Sequence, residues 1–200
     1  MKTIDYYFSP SSPWTYLGHQ RLIDIAARHQ AAVRILPVDL GGRIFPGSGG
    51  LPLGQRAPQR QAYRLVELRR WANHLQLPLN LQPKHFPTPG HDAARLIILA
   101  DQQHGTAPTL QLMQLIMRGL WAEDRNIADA STLAEMADQC GISGRSLVAD
   151  LTKADARYAD YTQQAVAAQV FGAPWYTYLG EPFWGQDRLE FLDRALAIQV

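Results

Sequence analysis

A short apolar run, Thr3-Ile4-Asp5-Tyr6-Tyr7-Phe8, meets Ser9-Pro10-Ser11-Ser12-Pro13-Trp14-Thr15-Tyr16, and beyond it the pattern turns helical. Aromatic and β-branched residues predict a strand up to Phe8. Proline is favoured at the first helical position, so Pro13 predicts a helix start with Ser12 at or beside its N-cap. Such a junction limits what the chain can become. It also creates a chemical opportunity, because an anion at that helix start meets unpaired N–H groups and the positive end of the helix dipole. Ser12 is therefore a candidate for catalysis as well as a cap, with Ser9 and Ser11 as neighbours within one turn.

From Pro13 to about His29, the residues Trp14, Leu17, Gly18, Leu22 and Ile25 share one arc at helical spacing, as expected of a helix packed on a sheet. Arg21 interrupts the arc and must snorkel or find a partner. Val33-Arg34-Ile35-Leu36-Pro37-Val38 reads as the next strand, which predicts a βαβ unit with a parallel pair and a right-handed crossover. Asp39 to Pro58 is rich in Gly and Pro and reads as one long loop, of the kind that is usually functional or disordered. Helical patterns follow over 59–76, 91–104, 108–121, 131–140, 143–153 and 154–170. Ala173–Tyr178 and Pro182–Trp184 predict two short strands around a turn at Gly180, and a last helix runs from Gln186 to about Ile198.

With 200 residues and 46% apolar content, the chain can bury a core without staples. A formal net charge of +1 and no basic run argue against a nucleic-acid partner. No apolar stretch is long enough to span a bilayer, so no membrane association is expected. The opening Met1-Lys2-Thr3-Ile4-Asp5 lacks a signal-peptide core. The single cysteine, Cys140, excludes an internal disulfide; a cytoplasmic location is expected. The six histidines show no metal-ligand spacing, and no metal is expected. A Ser-hydrolase elbow, Gly-x-Ser-x-Gly, is absent.

Three segments give the chain a family likeness. The N-terminal Ser12-Pro13-Trp14-Thr15-Tyr16-Leu17 opens a helix after a strand. Glu67-Leu68-Arg69-Arg70-Trp71-Ala72 leads to Leu77-Pro78-Leu79. Near the C-terminus stand Val170-Phe171-Gly172-Ala173-Pro174-Trp175 and Glu181-Pro182-Phe183-Trp184-Gly185-Gln186-Asp187-Arg188-Leu189. In this order they resemble the bacterial 2-hydroxychromene-2-carboxylate isomerases and the kappa-class glutathione transferases. The resemblance implies an α/β protein of the DsbA/kappa type: a thioredoxin-like βαβ–ββα core from residues 1–57 and 166–200, with an all-helical domain, 58–165, inserted. In such folds Ser12-Pro13-Trp14-Thr15 stands where Cys-Pro-x-Cys would be. Both thiols are replaced by hydroxyls, which disfavours a disulfide oxidoreductase.

The resemblance further implies glutathione as cofactor, with Ser12 holding its thiolate, and an isomerase acting by thiolate addition, bond rotation and elimination. Ala173 and Pro174 are expected to form a cis-proline loop that takes the tripeptide in extended form, with its γ-glutamyl end at Gln186 and Asp187. Arg60 and Glu67 stand where kappa-class relatives have a Lys and an Asp on the tripeptide. Trp14, Lys84 and His85 are candidates for a pocket that takes a small aromatic substrate. Homodimers are expected, because the kappa-class relatives are dimeric. A kappa-like transferase or peroxidase, or a non-catalytic thiol-peptide-binding module, are the alternative readings.

Overall fold

The computed structural model describes residues 1–198. Its sheet has four strands in the order β2-β1-β3-β4: β1 (Thr3–Phe8), β2 (Ala32–Pro37), β3 (Trp175–Tyr178) and β4 (Glu181–Trp184). β1 runs parallel to β2 and antiparallel to β3, and β3–β4 is a hairpin. The hairpin turns at Gly180, whose φ of 82° suits a residue without a Cβ. This is the expected βαβ plus ββα arrangement, with helix α1 (Pro13–Arg28) as the crossover.

Strand side chains alternate between two faces. Tyr6, Phe8 and Tyr176 lie on one face, with ring centroids 4.9 Å (Tyr6–Phe8) and 5.3 Å (Tyr6–Tyr176) apart. Their cluster runs on through α1 into α4 (His91–His104), α5 (Thr106–Ala122) and α6 (Ala130–Gln139), where Leu96, Met113, Trp121 and Met136 are buried. Tyr7, Leu36 and Trp175 lie on the other face and pack against Ala165 and Val170. Every regular element between Pro58 and Ala167 is helical among the described residues. Sheet and inserted helices nevertheless share one apolar core. α8 (Asp155–Ala167) runs past the expected boundary at 165/166 and buries Ala165 under the sheet.

Local chemistry sets where helices begin and stop. α8 stops at Ala167 rather than Val170 because Gln169 turns left-handed (φ 58°) and the Val170 N–H closes back on the Ala165 carbonyl. The expected helix over 143–153 divides into α7 (Gly144–Ala149) and a 3₁₀ turn, Leu151–Ala154. Asp39–Pro58, expected as loop, contains a π-type turn (Leu40–Ile44), a one-turn helix α2 (Phe45–Ser48) and a 3₁₀ turn (Leu53–Gln55). Asp39 caps the first of these by accepting from the Gly42 N–H at 2.8 Å.

One polar group sits inside the core. His19 is fully buried between β1 and α5. Its Nε2–H donates to the Leu110 carbonyl at 2.9 Å, because a carbonyl can only accept, and Nδ1 faces the Tyr6 hydroxyl at 3.4 Å. Burial lowers the imidazole from 6.5 to about 4, so it is neutral at pH 7. The unfolded chain protonates this ring from pH 6.5 downward, whereas the native state refuses the proton until about pH 4. Its contribution to stability is therefore complete above pH 6.5 and declines between there and pH 4, by roughly 3 kcal/mol in total. Urea unfolding at pH 7 and pH 4.5 should show a smaller pH-dependent loss in His19→Gln than in the parent. Equal losses would show that His19 does not titrate as a buried neutral group.

Candidate functional site

The site forms where β1 ends. Ser12 N–H donates to the Ser9 carbonyl at 3.0 Å, and this tight turn aims the chain into α1. Ser12 is the N-cap, with φ −81° and ψ 124°, and its Oγ accepts from the Thr15 N–H at 3.3 Å. The same hydroxyl donates to the carbonyl of Ala173 at 3.4 Å. Pro13 has no N–H, and Tyr16 N–H bonds the Ser12 carbonyl. The Trp14 N–H is left as the helix-end donor without a partner among the described residues. Thr15 is fully buried and its Oγ1 also has no partner.

Two of the expected segments come to this end of the sheet. The Ala173–Pro174 peptide is cis, and Pro174 is tied to the next segment by the Gly185 N–H at 2.9 Å. That bond brings Gln186 and Asp187, two residues of a 3₁₀ turn (Gln186–Arg188) leading into α9 (Leu189–Ala197), towards the same end of the sheet. The expected last helix therefore begins as a tighter turn. Asp187 is partly exposed and pairs with Arg188 at 2.6 Å. Gln186 is almost wholly buried, and its Oε1 accepts from Arg21 at 2.8 Å. This answers the question posed by Arg21, which escapes the apolar arc of α1 by bonding both the side chain and the carbonyl of Gln186. The Gln186 side chain thus clamps this turn to α1.

Other expected residues stand farther out. Arg60 and Glu67 lie on α3 (Pro58–Leu75), but they do not pair with each other; Glu67 pairs with Arg70. Trp14 packs against the Leu17–Leu68–Ala72 cluster that joins α1 to α3. Lys84 is exposed, with its N–H on Asp124 at 3.0 Å, and His85 is partly buried. Both lie on the loop that ends at Gly90, which rests on Pro10 and Ser11: a Cβ there would come 3.5 Å from Ser11 Oγ. This loop therefore does reach the Ser-rich turn, and it carries a second cis bond, Phe86–Pro87, that sequence reading does not anticipate.

A cavity of about 770 Å³ lies beside the start of α4, where His91 lines it. Asp39, Arg43, Arg95, Asp155 and Tyr158 line it, and Ser12 does not. Its charges largely answer one another: Arg95 pairs with Asp92 and Asp155, and His91 Nδ1 meets the Tyr158 hydroxyl at 3.3 Å. Burial raises the Tyr158 phenol well above its ordinary value, so it stays protonated. Sequence reading missed this cavity because its walls come from elements far apart in the chain.

The chain matches the model of the DSBA-like thioredoxin domain over residues 3–197. It belongs to that family. A relative from Sphingobium xenophagum, named 2-hydroxychromene-2-carboxylate isomerase, is 29% identical over 98% of this chain and 98% of its own. One of the same name from Pseudomonas sp. (strain C18) is 28% identical over 96% of this chain and 89% of its own. A solved structure of 2-hydroxychromene-2-carboxylate isomerase superimposes with a TM-score of 0.82 at 26% identity, covering 97% of this chain and 94% of that one. No helix of the described residues is long and apolar enough to cross a membrane, and no group of three or more His, Cys, Asp or Glu among them could hold a metal.

The clamp between α1 and the Gln186 turn is tight at Gly18. A Cβ there would lie 2.8 Å from Gln186 Cβ and 2.9 Å from the Tyr176 hydroxyl. Alanine gains about 1 kcal/mol of helix propensity, against about 1–3 kcal/mol for overpacking a rigid site. Gly18→Ala should therefore lower the melting temperature, contrary to helix propensity alone. A raised melting temperature would refute the clamp.

Proposed function

We propose that this protein is a glutathione-dependent isomerase of 2-hydroxychromene-2-carboxylate-type aromatic acids. The observation that carries the reading is the Ser12 hydroxyl, set at the start of α1 and 3.4 Å from the Ala173 carbonyl, with no thiol pair beside it. Relatives that cover nearly the whole chain and are named for this isomerase support it.

The residues fit a thiol tripeptide. Ser12 Oγ–H has only a long bond to Ala173 and can turn to a sulfur while still capping Thr15. The unpartnered Trp14 N–H adds a donor at the same helix end. Asp187 offers a partly exposed carboxylate for an ammonium group. Arg60 is exposed and takes part in no ion pair among the described residues, so it is available to a carboxylate. When bound, glutathione supplies a thiolate that adds reversibly to a conjugated double bond, so that the carbon–carbon bond can rotate before elimination.

The protein's own task is to keep that sulfur ionised and in place. An ordinary thiol has a pKa of about 8.5 and is only a few per cent ionised at neutral pH. A hydrogen bond from Ser12 and the dipole of α1 both favour the anion over the thiol. Aromatic side chains near the turn, Phe171, Trp175 and Trp184, pack edge to face, and Trp184 remains half exposed as a flat apolar surface.

Ser12→Ala should raise the apparent pKa of bound glutathione and move the pH–rate profile of chromene carboxylate isomerisation to higher pH. A hydrogen bond to a charged acceptor contributes about 1.5–3 kcal/mol, which corresponds to a rate loss of about 10- to 150-fold at neutral pH. Thiolate absorbance of the glutathione complex against pH measures the shift directly; curves that coincide with the parent's would reduce Ser12 to a helix cap. Asp187→Asn should weaken glutathione binding in calorimetry more than it lowers stability without ligand. Unchanged affinity would remove Asp187 from the site.

A further inference from the structure

The approach to α3 and its first turns carry a row of cations that no carboxylate answers. Arg56 precedes the helix, and Arg60 and Arg64 sit on it four residues apart, so that like charges face each other. None of the three takes part in an ion pair among the described residues, and neither do Arg21, Arg43, Arg69 and Arg145, whereas Arg28, Arg34, Arg70, Arg95, Arg118, Arg125, Arg157, Arg188 and Arg194 do. Arg56 is spoken for: it donates to the Leu51 carbonyl at 2.8 Å and lies over the Phe45 ring at 5.7 Å. Arg60 is exposed, and the proposal above assigns it to glutathione.

Arg64 is different. Its guanidinium lies 5.3 Å from the Phe86 ring centre and 5.7 Å from that of Trp121, and it is only partly exposed. Two aromatic rings hold it in position without using up its N–H groups. Burial and the charge of Arg56 lower its pKa to about 10, so it is still a cation at neutral pH. The indole N–H of Trp121, wholly buried in a ring that Arg64 covers, also finds no acceptor. A partly desolvated guanidinium with five donors and no acceptor is costly to bury, and a carboxylate satisfies it in a planar, two-point contact. Phe86 belongs to the loop whose end, Gly90, rests on the Ser-rich turn. Phe86 is at most about 14 Å along that loop from Gly90, and α3, which carries Arg64, packs on α1 through Leu68 against Leu17.

We propose that Arg64, held on Phe86 and Trp121, anchors the carboxylate of the aromatic substrate and makes the pocket selective for the acid over neutral analogues. The assignment of substrate class rests on the isomerase reading above. The role given to Arg64 is separate from that of Ser12, which acts on the sulfur, and it predicts a loss of binding rather than of thiol ionisation.

The test has two arms. In the first, isomerisation of 2-hydroxychromene-2-carboxylate with glutathione is measured for the parent and Arg64→Met. KM should rise about 10- to 100-fold, while kcat, glutathione affinity and the thiolate titration stay near the parent's. In the second, calorimetry compares 2-hydroxycinnamate with its methyl ester, which needs no turnover. The parent should prefer the acid by at least 10-fold, Arg64→Met should lose the preference, and Arg64→Lys should retain part of it. A thermal melt confirms that each variant is folded, and Arg64→Lys carries the test if Arg64→Met is not. If the parent isomerises the chromene but Arg64→Met leaves KM and the acid preference intact, the anchor is overturned and the isomerase reading stands. If the parent fails to isomerise yet shows an acid preference that Arg64→Met abolishes, the anchor stands and the isomerase reading falls. No acid preference in the parent overturns the anchor outright.

Discussion

In the register of β1 against β3, Tyr7 faces Trp175, and the two chains run on past that pair in opposite directions. β1 leads out through Phe8 to the Ser-rich turn, and β3 is entered through Ala173 and Pro174. Antiparallel pairing therefore sets Ser12 beside Ala173 although 161 residues separate them in sequence. A slip of one residue would exchange the faces of the strand, sending Tyr6 out of the core and carrying Ala173 away from the hydroxyl. The contact of Tyr6 with Tyr176 holds that register on one face of the sheet, and Tyr7 and Trp175 share an apolar cluster on the other. Site geometry is thus a by-product of core packing.

The inserted helices are part of the same arrangement and not an appendage. Leu96, Met113 and Trp121 belong to the cluster that contains Tyr6 and Phe8, so the loop between α3 and α4 is held at both ends by buried groups. At one end the Tyr16 hydroxyl donates to the Pro78 carbonyl at 2.9 Å, and at the other Gly90 lies against Ser11. A loop anchored this way can present Phe86 and its neighbours to a ligand with little ordering cost on binding.

Charge is distributed unevenly over this frame. Exposed pairs such as Arg28 with Asp193 and Arg34 with Asp5 are of the surface kind that contribute little to stability. The buried side-chain atoms left without hydrogen-bond partners, among them Thr15 Oγ1, Gln114 Oε1, the Trp121 indole N–H and the Tyr176 hydroxyl, come from several elements.

Much of this was legible in the amino-acid sequence. The Ser12-Pro13 cap, the αβ alternation at one end and the hairpin turn at Gly180 follow from local rules of φ, hydrogen bonding and periodicity, and the structure has them where expected. Local rules failed where longer-range contacts decide: the partner of Arg21, Gln186, comes from the far end of the chain, and the stretch after Asp39 is helical turns and not loop. Arg64 was invisible for the same reason, because an arginine on a helix reads as solvated surface until Phe86 and Trp121 arrive from elsewhere in the chain. The sequence by itself determined the capping hydroxyl and the helix end beneath it, since both are set within four residues of backbone. Tertiary structure alone decided which groups meet that hydroxyl and which cations go unanswered, since strand register and core packing bring together residues that share no local rule.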